Sequence, residues 1–395
     1  MSRPALAAAL YRVHRRFRVS ELNSQNCRHR FVSHELKKIV AGSGGRLSIE
    51  ATGQSTEERI IPLVRFGSGP VSILLWSQMH GDEPTATLAL MDIFRFLGSG
   101  GIRQISPDWI EERCSIYVIP MLNPDGAQRF SRVTAGMIDM NRDARRLRTP
   151  EAQFLRRIQK SIRPRFGFNL HDQELSTVGQ SSRIAAIALL APAADQAARM
   201  TPVRRRAVQV GATIARALGN LAPGRISSYD DAHEPRAFGD MMQAWGTSTV
   251  LVESGHWKGD HEKEKIRSLN FAGLLTAIHS ISDGSYRRIS VDHYHALPGN
   301  SKRAYDIIIR GVRVMNTDRS QRQSDVGLRT SWKKEKRTGV SVRVCEVGDL
   351  RHFSSILELP GGRRGVEPSH LTPGLILPLP FLARNLHISL PPNLL

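Results

Sequence analysis

The chain has 395 residues, 40% of them hydrophobic, with a formal net charge of +20 and three cysteines. That apolar share suffices for a sizeable core, the length allows one large domain or two smaller ones, and no apolar run approaches the roughly 20 residues of a membrane helix. Cys27, Cys114 and Cys345 are far apart and odd in number, which excludes a disulfide framework and any cysteine metal motif.

The charge is uneven. Residues 1–46 carry about +8 and residues 301–395 about +8, leaving about +4 for the middle, 20 − 16. The basicity belongs to the flanks and reads as arginine-rich solubilising surface. No aromatic-studded basic element, zinc finger or RNA-binding signature accompanies it, so nucleic acid is not an expected partner.

Residues 1–46 are expected to form a basic N-terminal segment. Ala5 to Leu10 is short for the core of a secretion signal, and arginines follow it instead of a small-residue cleavage site. A basic amphipathic helix is expected there, and with no transmembrane segment a cytoplasmic location. From Leu47 the pattern becomes α/β. Ser48 to Ala51 and Ile60 to Phe66 predict strands, separated by a polar stretch running from Gly53 to Ile60. Val71 to Trp76 predicts a buried strand ending in the turn Ser77-Gln78-Met79-His80-Gly81-Asp82-Glu83. Pro84 suits the first position of the following helix, Ala86 to Leu97, which ends at Gly98.

Ser115 to Pro120 predicts the next strand, closed by the turn Asn123-Pro124-Asp125-Gly126. An arginine-rich loop runs from Arg129 to Arg148, and Thr149-Pro150-Glu151 opens a helix to about Ile162 with Thr149 as its cap. Phe166 to Leu170 runs as a strand directly into His171. Ile184 to Leu190 and Thr247 to Val252 predict strands, the latter ending in Glu253. Val203 to Leu218, Gly239 to Trp245 and His261 to Ile281 predict helices. Strands alternating with helices imply a mostly parallel sheet covered on both faces. Ligands in such sheets bind beyond the carboxyl ends of the strands, and His80, Asn123, His171 and Glu253 all lie there. After about residue 290 strand-like pieces (Ala304 to Val314, Gly339 to Val347, Ser354 to Leu359) alternate with charged loops. Residues 371–395 are apolar, proline-rich and without period. The expected organisation is a basic segment 1–46, a catalytic domain 47–290 and a β-rich accessory region with an irregular tail, 291–395.

A His and a Glu three apart on a rigid turn can reach one metal ion, and hydrolytic zinc sites often use two His and one Glu, with the fourth position open to water. Together the motifs resemble the zinc carboxypeptidase family over about residues 50–285. The family's His-x-x-Glu turn and later single His match His80, Glu83 and His171. Its Asn-Pro-Asp-Gly turn stands at Asn123 to Gly126, and its Asp-x-Asn-Arg segment at Asp139-Met140-Asn141-Arg142. Its late-strand Glu matches Glu253, and the region Gly53-x-Ser55-x-Glu57-x-Arg59-x-Ile61 is also similar. The resemblance implies a mixed, mostly parallel sheet and one zinc ion per chain, held by His80, Glu83 and His171. It implies Glu253 as general base and Arg132, with Arg129 as fallback, at the developing oxyanion. Asn141 and Arg142 would grip a substrate's terminal carboxylate, and Tyr229 would be a mobile phenol bonding the substrate. The implied activity is removal of C-terminal residues from peptides bearing a free carboxylate.

Two departures bear on the substrate. Asp143 follows Arg142 where many members have Asn, and the interval between Glu83 and His171 is shorter than in the digestive enzymes. That shortness resembles the related deacylases of N-acyl amino acids, the alternative reading. A non-catalytic binding protein on the same fold is the third, opposed by the intact triad and Glu253. Phe238 and Met241 suggest an apolar substrate pocket. The other histidines read as structural, and the sequence does not give the oligomeric state.

Overall fold

A computed structural model describes residues 2–390 apart from 231, 316, 317, 319, 332–340, 363 and 387. The chain divides into two compact units, one of Met1–Glu174, Ala185–His256 and Asp260–Asn300, the other of Leu175–Ile184, Trp257–Gly259 and Ser301–Leu395.

The first unit opens with helices α1 (Arg3–Val13) and α2 (His29–Ala41), followed by strands β1 (Leu47–Gln54), β2 (Ile60–Phe66) and β3 (Val71–Ser77). Helix α3 (Thr85–Leu97) and the short α4 (Pro107–Glu111) lead to β4 (Cys114–Ile119) and α5 (Pro124–Arg129). Next come α6 (Pro150–Ile162), β5 (Phe166–Asp172), β6 (Ile187–Leu190), α7 (Pro202–Leu218) and β7 (Ile226–Ser228). Helix α8 (Phe238–Ala244), β8 (Ser248–Ser254), α9 (Glu264–Ser282) and a short α10 (Asp292–His295) complete it.

These strands form one eight-stranded mixed sheet in the order β1-β2-β4-β3-β5-β8-β6-β7. The pairs β3–β4, β3–β5, β5–β8 and β6–β7 are parallel, and β1–β2, β2–β4 and β6–β8 antiparallel. The fold class expected from the alternation is the one observed. Helices cover the sheet because its central strands are apolar on both faces. Leu74, Trp76 and Ile119 point to a layer formed by Phe154 and Leu155 of α6 and Phe238 and Met242 of α8. Side chains alternate along a strand, so Ile73 and Leu75, equally buried, face the opposite layer, where α1, α3, α7 and α9 pack on one another. Among the described residues no helix is long and apolar enough to cross a membrane.

Residues 1–46 belong to this unit. Leu6, Ala7 and Leu10 of α1 are buried, and a charge cluster fixes the segment after it. Arg267 of α9 and Asp92 of α3, both fully buried, form a bidentate pair with two bonds of 2.6 Å. Arg267 also donates to the Val19 and Leu22 carbonyls, Asp92 accepts the Val19 N–H, and His14 Nε2 lies 2.7 Å from Asp92.

In the second unit β9 (Ala304–Met315), β10 (Gln321–Ser331), β11 (Ser341–Gly348), β12 (Ser354–Pro360) and β13 (Ile376–Pro378) pair in the order β12-β9-β10-β11-β13. Helix α11 (Leu379–Asn385) presses Leu379 and Leu382 onto Ile307, Val326, Val342 and Val344. The stretch expected to be an irregular tail thus contributes a strand and a helix to this core. Its proline pattern hid them because Pro378 precedes the helix and Pro380 sits in its first turn, where a missing N–H costs nothing. Part of the expected strand from Gly339 lies outside the described residues.

Candidate metal centre

Strand β3 delivers its load on a tight turn. Gln78 adopts a positive φ of 50° and is fully buried. Its amide donates to the Gly81 carbonyl and its oxygen accepts from Thr87 Oγ1. Pro84 caps α3, one position earlier than the first-turn place expected for it. A Cβ on Gly81 would lie 2.0 Å from the backbone carbon of Gly126, so the two turns meet backbone to backbone and only glycine fits. Asn123 locks that contact: its Oδ1 accepts the Gly126 N–H and its Nδ2 donates to the Met79 carbonyl. The motif from Gly53 to Ile61 serves the same turn. Buried Asp125 accepts from Ser55 Oγ at 2.7 Å, the Glu57 N–H at 2.9 Å and Arg59 at 2.6 Å.

The structure brings His80, Glu83 and His171 together, all buried, with potential ligand atoms within 4.8 Å of one another. Glu83 Oε1 lies 2.7 Å from His80 Nδ1, and its Oε2 lies 2.8 Å from His171 Nδ1. Asp139 Oδ1 holds the other side of the His80 ring, 3.1 Å from Nε2. Burial opposes a charged His80, but Glu83 and Asp139 outweigh it and push the imidazole up to about 9. Burial likewise opposes ionised Glu83 and Asp139, yet their cationic neighbours hold both below the usual carboxylate range. Two buried imidazoles converging on one buried carboxylate match the donor set of a hydrolytic zinc site, and a carboxylate behind the ring, as Asp139 is behind His80, is the kind of partner that orients such a ligand. The residues fit the ion.

Glu253 stands beside the cluster. It is the Cα partner of His171 in the parallel β5–β8 pair, is buried, and leaves Oε2 without a hydrogen-bond partner among the described residues. Burial first, then Glu83 and Asp172, raise its carboxyl well above the ordinary range. Arg132 reaches over from the arginine-rich loop, its side chain 48% exposed, with Nη1 3.3 Å from Glu83 and Nε 3.1 Å from Asp139. Arg129 is occupied elsewhere, pairing with Glu57. Asn141 and Arg142 sit in the single turn capped by Asp139. The Asn141 Oδ1 accepts the Phe238 N–H, and Arg142 Nε is 3.5 Å from Glu234. Tyr229 follows β7, and burial, with the fields of Glu253 and Glu83, pushes its phenol up to about 12.

Three residues make contacts that their sequence positions did not reveal. Asp139 was visible only as part of a motif, with no role. Asp172 accepts from Thr85 Oγ1 and Lys263 while its N–H donates to Glu83, contacts that only folding creates. Asp143, the departure from the family pattern, is fully buried and accepts the N–H groups of Arg148 and Thr149 and the Thr149 hydroxyl. It clamps the loop onto the start of α6.

Comparison with known proteins bears on the family and the fold. Residues 32–175 match the family model described as zinc carboxypeptidase; Glu253 lies beyond the matched segment. A metallo-carboxypeptidase from Pseudomonas aeruginosa superposes with a TM-score of 0.50 at 17% identity, covering 63% of this chain and 68% of that one. A metallo-carboxypeptidase from Burkholderia cenocepacia gives 0.51 at 15%, covering 64% and 68%. Thrombin activatable fibrinolysis inhibitor gives 0.52 at 11%, covering 71% and 81%. At these identities the likeness is one of fold. No curated protein matches in sequence.

Proposed function

We propose, for a chain that carries the zinc carboxypeptidase domain over residues 32–175, that it hydrolyses the C-terminal residue from peptides with a free carboxylate. The observation that carries this reading is the buried triad His80, Glu83 and His171 with Glu253 in register beside His171. The triad would hold one zinc ion, which when bound supplies Lewis-acid activation of water and of the substrate carbonyl.

The rest falls to the chain's own residues. Glu253, short of a partner at Oε2 and raised in proton affinity, takes a proton from the attacking water and hands it to the leaving amine. Arg132 stays cationic: burial lowers its pKa, but Asp139 and Glu83 more than reverse this. It stabilises negative charge developing on the carbonyl oxygen. Arg142 pairs with the terminal carboxylate, for which its planar fork is suited. The Tyr229 phenol remains protonated at neutral pH and donates to the substrate.

The test is zinc content by elemental analysis of the parent and His171→Ala, together with amino acid release from peptides with free or amidated C-termini. One zinc per chain and release from free termini alone, both lost in the variant, is the expected result. A folded parent without zinc would overturn the reading.

A further inference from the structure

The loop between β7 and α8 carries a carboxylate to the arginine that the proposed reaction assigns to substrate. Glu234 Oε2 lies 3.5 Å from Arg142 Nε. It is no loose surface charge, since Arg236 holds it with Nε at 2.8 Å, Nη2 at 2.6 Å and its own N–H at 3.0 Å. The loop is itself anchored. Asp240 accepts the Glu234 N–H and lies 3.1 Å from His233 Nδ1, and the Arg236 carbonyl accepts the Ala144 N–H. The hydrogen bonds from Arg236, with the nearby charge of Arg142, hold the Glu234 carboxyl down to about 2, so it is anionic at neutral pH. Asn141 is engaged from the same side, its oxygen accepting the Phe238 N–H.

We propose that Glu234 is an internal competitor for the terminal carboxylate: in the free protein it pairs with Arg142, and the carboxylate of a substrate competes with it for that guanidinium. Glu234 thereby sets the affinity of the site for free C-termini. It weakens capture of every free C-terminus by the same factor and leaves recognition to the rest of the peptide. The competition is modest, because Arg142 is 42% and Glu234 27% exposed and exposed ion pairs are weak. This inference rests on the carboxylate-binding role given to Arg142 above.

The experiment measures binding of an N-acetyl dipeptide, as free acid and as amide, by calorimetry on the zinc-loaded protein in a Glu253→Gln background, which lacks the proposed base and so binds without turnover. The proteins are the parent, Glu234→Gln, Arg142→Gln and the double variant, each checked for its thermal midpoint. Glu234→Gln is expected to tighten binding of the acid about fivefold, as loss of a partly exposed ion pair allows, and to leave the amide unchanged. The gain should vanish in the Arg142→Gln background, a coupling that a merely structural role for Glu234 would not produce. Equal affinity of parent and Glu234→Gln for the acid, with Arg142→Gln weakened, would overturn the inference and spare the reading of Arg142. Equal affinity of all four proteins for the acid would overturn both.

Discussion

Glu253 and Asp139 are both carboxylates near the same triad, yet they should fail differently when altered. Glu253→Gln keeps the volume and removes the base, so turnover should fall about a hundred- to ten-thousandfold while zinc content stays at one per chain. Single-turnover release of the C-terminal residue measures it; a variant with parental turnover would remove Glu253 from the chemistry. Asp139→Asn instead loosens the ring it orients, 3.1 Å from His80 Nε2. Zinc affinity should drop about 10- to 100-fold, read by competition with a chelator. At this scale the sequence was legible where residue type and spacing coincide with a strand end, as for His80, Glu83, His171 and Glu253. It was not legible for Asp172 or Glu234, whose partners lie far away in the chain or on a loop without period. The sequence marks Arg142 as a proposed carboxylate binder, but the carboxylate of Glu234 that faces it could not be seen.

The turn after β3 and the turn that opens α5 depend on each other as elements. Gly81→Ala would press a methyl group into the backbone of Gly126. We expect a loss of about 1–3 kcal/mol, the range for overpacked sites, measured from the urea midpoint, with weakened zinc retention because His80 and Glu83 flank the residue. Unchanged stability would mean the turns are not in contact. Most element boundaries followed from apolar runs, caps and prolines, as with Thr149 and Pro150 at the start of α6. Strand β10 was missed because its sequence, QRQSDVGLRTS, offers few apolar residues. Its inward side chains Val326 and Leu328 suffice only because neighbouring strands supply the remainder of the core.

The first unit is stitched together as a whole by charge buried out of water. Asp92 joins α3 to α9 and to the segment around Val19. Asp92→Ala would leave the buried Arg267 guanidinium with only the longer, 3.5 Å contact to partly exposed Glu264 as an ion pair, at a cost of about 3–5 kcal/mol. Replacing Asp92 and Arg267 together by Leu and Met should recover much of that loss, because the buried charge is then gone. Denaturant midpoints of the two variants check this; equal losses would contradict it. Composition placed the N-terminal residues outside the catalytic body, because arginines dominate their count. The anchor residues His14 and Val19 are too few to alter that count, and their partners lie on distant helices.

The pairing of His171 with Glu253 across β5 and β8 sets the spacing between the proposed zinc ligand and base by the interval between adjacent strands, about 4.8 Å. No loop movement can tune that interval, and a slip of one residue would turn Glu253 to the opposite face. The spacing of the proposed ligand and base therefore stands or falls with one ladder of backbone hydrogen bonds. Under rising denaturant, activity should vanish at the same concentration at which the amide protons of β5 and β8 begin to exchange with solvent.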